Sequence, residues 1–178
     1  MLLKRLGRVA TVLAAFSASL FVFSPAANAA ELHDFIVNFN SQKCITVPGG
    51  LSGNVGMIQY ECVFPVQDNQ FWNFRDVGSG YYEIWNEQTK KCLNVAGAST
   101  AQNAAIIQYP CNRDANAEWK TIFYVRAEDD AGIVRDWYQL KNRNSGRCLT
   151  VKGASTANGT PLIQYDCNAS ANSKWTWY

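Results

Sequence analysis

The sequence predicts an all-β chain built by triplication, and three observations carry that prediction. The six cysteines fall into pairs 18, 19 and 19 residues apart: Cys44 and Cys62, Cys92 and Cys111, Cys148 and Cys167. A tryptophan follows each pair, at Trp72, Trp119 and Trp175. Past Ala30 no run of ten residues carries a helical period. Recurrence at this spacing is the mark of a repeat architecture.

The elements follow in order. Each cysteine pair is preceded by a short apolar alternation: Phe35-Ile36-Val37-Asn38-Phe39, Tyr82-Glu83-Ile84-Trp85-Asn86 and Tyr138-Gln139-Leu140-Lys141-Asn142. Within the pairs lie short β-branched or aromatic segments, such as Cys92-Leu93-Asn94-Val95 and Ile106-Ile107-Gln108-Tyr109. These read as strands, and the Gly/Ala/Ser/Thr stretches between them, such as 97–101, read as loops. Each repeat then holds about four strands. Twelve strands in three units imply a closed fold with pseudo-threefold symmetry, because open sheet edges invite aggregation. The last two repeats align without a gap, and 16 of the 28 positions from Cys92 to Trp119 match those from Cys148 to Trp175. The first repeat is more divergent. Eight extra residues separate the second and third repeats, and they fit at 127–135 as a lengthened polar hairpin. Leu51 and Met57, beside glycine-rich stretches, read as apolar loop anchors.

The first 29 residues differ from the rest. Lys4, Arg5 and Arg8 precede an uncharged, mostly apolar run to Phe23, a Ser-Pro break and Ala27-Asn28-Ala29. That is the pattern of a secretory signal peptide, removed on export. The expected organisation is a signal peptide at 1–29 and one domain at 30–178, with repeats near 35–80, 81–136 and 137–178. The 178 residues carry a formal net charge of +2; removing three of the 16 basic residues and none of the 14 acidic ones leaves 13 against 14. A domain with a net charge of −1 has no basic stripe for nucleic acid. No second long apolar run exists to span a membrane. The expectation is a secreted, extracellular monomer. An even number of cysteines in an oxidising compartment implies disulfides. Six cysteines allow 15 connectivities, and equivalence of the repeats favours the three local pairs. With one histidine, His33, and no C-x-x-C, no metal or other cofactor is expected.

Three copies of C-[IL]-x-V…I-Q-Y-x-C…N-x-x-W resemble the ricin B-chain-type β-trefoil lectin domain, in its single-domain secreted form, over essentially the whole mature chain. The resemblance implies a β-trefoil, carbohydrate binding without catalysis, and one shallow sugar site per repeat. In the family an acidic residue two past the first cysteine grips hydroxyls. An aromatic residue two before the second cysteine stacks on the sugar, and an asparagine three before the tryptophan, followed by glutamine, completes the grip. The aromatic positions here are Tyr60, Tyr109 and Tyr165, and the asparagines are Asn69, Asn116 and Asn172. The glutamine remains only as Gln70, and the acidic position has become Thr46, Asn94 and Thr150. A carboxylate accepts charge-assisted bonds from vicinal hydroxyls, and its loss costs about 1–2 kcal/mol per site. Asn94, Tyr109 and Asn116 therefore rank first as a site, Thr46, Tyr60, Asn69 and Gln70 second, and the third repeat reads as scaffold.

The partner implied is a glycan or polysaccharide with galactose- or xylose-type sugars. The alternative is a protein-binding β-trefoil, a protease inhibitor or the targeting partner of a toxin, with recognition in the 127–135 insert. Asp129, Asp130 and Asp136 offer carboxylates for a glycoside hydrolase, but they sit in the one unrepeated segment. Asn158-Gly159-Thr160 and Asn168-Ala169-Ser170 are glycosylation tripeptides.

Overall fold

The tryptophans that close the cysteine pairs are the centre of the molecule. Trp72, Trp119 and Trp175 are fully buried, and their indole N–H groups donate to the carbonyls of Ile45 (2.9 Å), Leu93 (2.9 Å) and Leu149 (3.0 Å), each one residue past the first cysteine of its pair. A buried indole needs such a partner. The sequence repeat is thus a repeat of one hydrogen bond.

The computed structural model describes residues 34–63 and 67–178. The expected signal peptide and His33 lie outside them. Twelve strands follow in sequence: β1 (Asp34–Asn38), β2 (Cys44–Thr46), β3 (Ile58–Tyr60), β4 (Phe71–Gly78), β5 (Tyr81–Asn86), β6 (Lys91–Val95), β7 (Ile106–Pro110), β8 (Glu118–Glu128), β9 (Val134–Asn142), β10 (Cys148–Val151), β11 (Leu162–Tyr165) and β12 (Trp175–Trp177). Pairing of β1 with β4, β4 with β5, β5 with β8, β8 with β9, β9 with β12 and β12 with β1 closes a six-stranded antiparallel barrel. The remaining strands form three hairpins, β2–β3, β6–β7 and β10–β11, each joined to the barrel through its first strand. Four strands per repeat make a β-trefoil. Among the described residues no helix is long and apolar enough to cross a membrane.

The core is layered by threes. Ile36, Ile84 and Leu140 come from the first strands of the repeats; Ile45, Leu93 and Leu149, then Val47, Val95 and Val151, come from the hairpins; Met57, Ile106 and Leu162 lie opposite them, with the three tryptophans. Full burial of one such aliphatic side chain stabilises by about 1.5–3 kcal/mol. Met57 is therefore a core residue and not a loop anchor, because it occupies the position of Ile106 and Leu162. Leu51 is 54% exposed and lies outside the core.

The glutamine of Ile-Gln-Tyr interlocks the repeats. Gln59, Gln108 and Gln164 are fully buried. Each amide nitrogen donates to two loop carbonyls of a neighbouring repeat: Gln59 to Ser155 and Ala157, Gln108 to Leu51 and Gly53, Gln164 to Ser99 and Ala101. Each amide oxygen accepts from a hydroxyl, of Ser41, Thr89 and Ser145 respectively. Every polar atom of these side chains is thereby satisfied, as burial requires. Disulfides join Cys44 to Cys62, Cys92 to Cys111 and Cys148 to Cys167. The eight-residue excess between repeats extends the β8–β9 hairpin, which turns at Asp129 with its carboxylate accepting from the N–H groups of Ala131 (3.0 Å) and Ile133 (2.9 Å).

Candidate functional site

The hairpin register puts the candidate residues together. Cys44 lies opposite Tyr60 and Thr46 opposite Ile58; Cys92 lies opposite Tyr109 and Asn94 opposite Ile107; Cys148 lies opposite Tyr165 and Thr150 opposite Ile163. Directly opposed residues share a face, as do residues two apart in a strand. Each hairpin therefore shows its cysteine, its tyrosine and its Thr or Asn on the face away from the core. The tyrosine, at the outer end, is the most open of these: Tyr60 is 42% exposed and Tyr109 41%.

A short 3-10 turn before each core tryptophan supplies the asparagine: Asp68–Gln70, Ala115–Ala117 and Ala171–Ser173. The asparagine amide nitrogen donates back to the hairpin, Asn69 to the Val47 carbonyl (3.0 Å), Asn116 to Val95 (3.0 Å) and Asn172 to Val151 (2.8 Å). The turn is held from the next repeat. Asn86 donates to the carbonyls of Asp68 and Phe71, and Asn142 to those of Asn116 and Glu118; Asn38 does the same to Asn172 and Lys174.

The first groove, about 370 Å³, is lined by Thr46, Tyr60, Gln67, Asn69 and Gln70 among others. Thr46 lies on its floor, 5% exposed. Its hydroxyl donates to the Cys44 carbonyl (3.0 Å) and accepts from the Gln70 amide (2.9 Å). Gln70 is 1% exposed. It also donates to the Glu61 carbonyl (2.8 Å) and accepts from the Val63 N–H (2.9 Å), so it braces the rim. The side-chain oxygen of Asn69 is buried and has no hydrogen-bond partner.

In the second repeat Asn116 also donates to the side-chain oxygen of Asn94, so that pair is tied together beneath Tyr109. Ala117 stands where Gln70 braces the first groove.

The third repeat, read from sequence as scaffold, has a groove of about 320 Å³ lined by Thr150, Tyr165, Asn168, Ser170 and Asn172, with Asn103 reaching in from the second repeat. The signal for it was the same Tyr and Asn spacing as in the other repeats. Asn103 left no such signal, because its position depends on how neighbouring repeats dock.

The acidic cluster is absent from the linings of the first and third grooves. Asp129 pairs with Arg135 and Asp136 with Arg126. The bond from Arg135 and the backbone N–H groups hold the Asp129 carboxyl below its usual range, and the bond from Arg126 does the same for Asp136. A glycosidase acid needs the opposite shift. No group of three or more His, Cys, Asp or Glu among the described residues is placed to hold a metal ion.

Comparison with known families places this geometry. The model of the ricin-type beta-trefoil lectin domain-like family matches residues 21–109, 68–165 and 123–177, three overlapping windows that together span the hairpins and the barrel. The chain belongs to this ricin-type β-trefoil lectin family. Among solved structures it is similar to ThreeFoil, a designed threefold-symmetric protein, with a TM-score of 0.71 and 31% identity over 82% of this chain and 96% of that one. It is also similar to 1,3Gal43A, an exo-β-1,3-galactanase from Clostridium thermocellum, with a TM-score of 0.70 and 27% identity over 82% of this chain but 29% of that enzyme. The Rhizoctonia solani agglutinin shares the fold, at 16% identity and a TM-score of 0.67 over 82% and 93% of the two chains. As in other ricin-type lectin domains, this chain repeats one hairpin and one turn three times. At the positions where the resemblance implies an acidic residue, this chain carries the uncharged Thr46, Asn94 and Thr150.

Proposed function

We propose that the protein is a secreted carbohydrate-binding lectin, without catalysis of its own, that holds neutral sugars in up to three shallow grooves. The observation that carries this reading is the same pair in every repeat: a tyrosine at the outer end of the hairpin, exposed at Tyr60 and Tyr109 and half-buried at Tyr165, and an asparagine whose amide nitrogen donates to the hairpin. The ring offers a face for sugar C–H groups and a polar handle. The asparagine oxygen, left without a partner in the first groove, accepts a hydroxyl. Gln70 and the next-repeat asparagines position these groups and do not touch the sugar. The third groove joins the first two on its lining.

Each site is weak without the acidic residue, and three sites on one rigid body restore avidity toward a polymer or a dense glycan surface. The galactanase among the similar structures makes galactose-type polymers the first to test, with xylan second. Three disulfides support an extracellular location, in keeping with the signal peptide at 1–29 and the domain at 30–178. The chain acts as a monomer.

The test is a glycan array with pull-downs on galactose resin and insoluble xylan. Retention on at least one, competed by free sugar, is expected; no retention at high protein density refutes the reading. A second reading, recognition of a protein, is favoured by the β8–β9 hairpin, where Phe123 and Val134 are each 58% exposed. Shortening that hairpin abolishes partner capture if this reading holds and leaves glycan retention by the three grooves intact if the first does.

A further inference from the structure

We propose a fourth saccharide site, outside the three repeats' grooves, at the barrel end remote from the hairpins, between β9 and β12. A groove of about 230 Å³ there is lined by Val134, Arg135, Asp136, Tyr138, Thr176 and Trp177. Mouths of β-barrels are recurrent ligand sites.

Three features fit a neutral sugar. First, two aromatic side chains, Tyr138 and Trp177, stand in the lining. Tyr138 and Trp177 stack with centroids 4.6 Å apart, and the rings continue to Phe74 on one side (5.0 Å) and Phe123 on the other (5.9 Å). Phe123 is 58% exposed and the other three rings are partly exposed. Second, this groove has the carboxylate that Thr46, Asn94 and Thr150 lack. Asp136 accepts two bonds from Arg126, at 2.6 and 2.9 Å, which keep it ionised and still leave it lone pairs for hydroxyls. Thr176 also lines the groove. Third, the charges are matched. Arg126 pairs with Asp136 and Arg135 with Asp129, so the groove offers directional polar groups without a net field. That favours an uncharged polyol over an anion or a cation.

The site belongs to this chain and not to the repeat. Arg126, Val134 and Asp136 stand on the lengthened β8–β9 hairpin. Counting from the core tryptophans, the residue equivalent to Trp177 is Phe74 in the first repeat and Thr121 in the second. The equivalent of Asp136 in the second repeat is Gly80.

The experiment follows the indole N–H of Trp177 and the amides of Tyr60, Tyr109 and Tyr165 by 1H–15N NMR during titration with β-1,3-galactobiose, xylotriose and a Phe/Leu-rich hexapeptide. Saturable movement of the Trp177 indole with a sugar is expected. D136N weakens that response at least tenfold, whereas R126Q, which keeps the carboxylate, stays within about twofold of the parent. Movement at the tyrosine amides with a static Trp177 overturns this site and leaves the three-groove reading standing. Movement of Trp177 alone supports this site and refutes that reading. A response of Trp177 to the peptide and not to the sugars makes the groove a protein-docking surface and overturns the saccharide assignment, and no response anywhere overturns both.

Discussion

The Gln164 side chain leaves its own repeat and donates to the Ser99 carbonyl oxygen at 2.9 Å. Its amide nitrogen also reaches the Ala101 carbonyl at 2.8 Å, and its oxygen takes the Ser145 hydroxyl at 2.7 Å. Gln59 and Gln108 make the same bonds one repeat further round. Replacing one of them with leucine strands two carbonyls and a hydroxyl, and a buried polar group left unsatisfied costs about 1–3 kcal/mol. Q164L is expected to lower unfolding stability by about 2–4 kcal/mol in urea titrations, with an unchanged m-value. A loss below about 0.5 kcal/mol denies the interlock.

The disulfides act locally. Each closes a loop of 18 or 19 residues, worth about 3 kcal/mol on the chain-entropy model. Removing Cys92 and Cys111 together by alanine substitution is expected to cost about that much, with the circular dichroism spectrum of the folded state retained. Non-reducing peptide mapping is expected to return three intra-repeat bridges, and a cross-repeat bridge contradicts the pairing.

Acid stability has one readable contributor in the hairpin turn. The Asp129 carboxyl is held below its ordinary value of 3.8, first by Arg135 and then by the Ile133 N–H. A group with a depressed folded pKa contributes stability above its unfolded pKa, and that contribution is lost as pH falls through the folded value. Wild type is therefore expected to lose stability relative to D129N as pH drops below about 3.8, with a constant difference between the two at pH 6–8. Parallel curves below pH 4 contradict the assignment.

The uncharged groove floors make a gain-of-function prediction. Thr46 lies next to the Gln70 amide nitrogen, 2.9 Å from its hydroxyl, so a carboxylate at that position has a donor waiting. T46D is expected to strengthen sugar binding in the first groove by about 1–2 kcal/mol, roughly 5- to 30-fold, by isothermal titration calorimetry. Unchanged or weaker affinity with intact folding shows that the floor does not meet the sugar.

Much of this architecture is legible in the residues. The spacing of the cysteines and tryptophans announces three units, because each unit must bury one indole against one hairpin. The strand alternation at Phe35, Tyr82 and Tyr138 announces the barrel. The site is less legible. Polar residues on a strand read as solvent-facing, yet Thr46 and Thr150 are 5% and 6% exposed and Asn94 only 2%, because the 3-10 turn folds over that face. Gln70 reads as a sugar contact; in the structure it lines the first groove at 1% exposure, with its amide bonded to Thr46, Glu61 and Val63. Asn103 enters the third groove from the neighbouring repeat, a contact that no spacing within one repeat encodes. The groove beside Trp177 depends on a single unrepeated insert, which pattern matching between repeats discards.

The central claim is that the exposed tyrosines hold sugar, and their exposure makes the test clean. Tyr60 and Tyr109 are more than two-fifths exposed, and their removal opens no core cavity. The decisive measurement is retention on a β-1,3-galactan or xylan column by wild type and by the triple variant Y60A/Y109A/Y165A, with melting temperatures recorded for both. The expected result is binding by wild type, loss of at least tenfold in the triple variant, and melting temperatures within a few degrees. Equal retention of the two proteins, or no retention of wild type on any glycan, contradicts the claim.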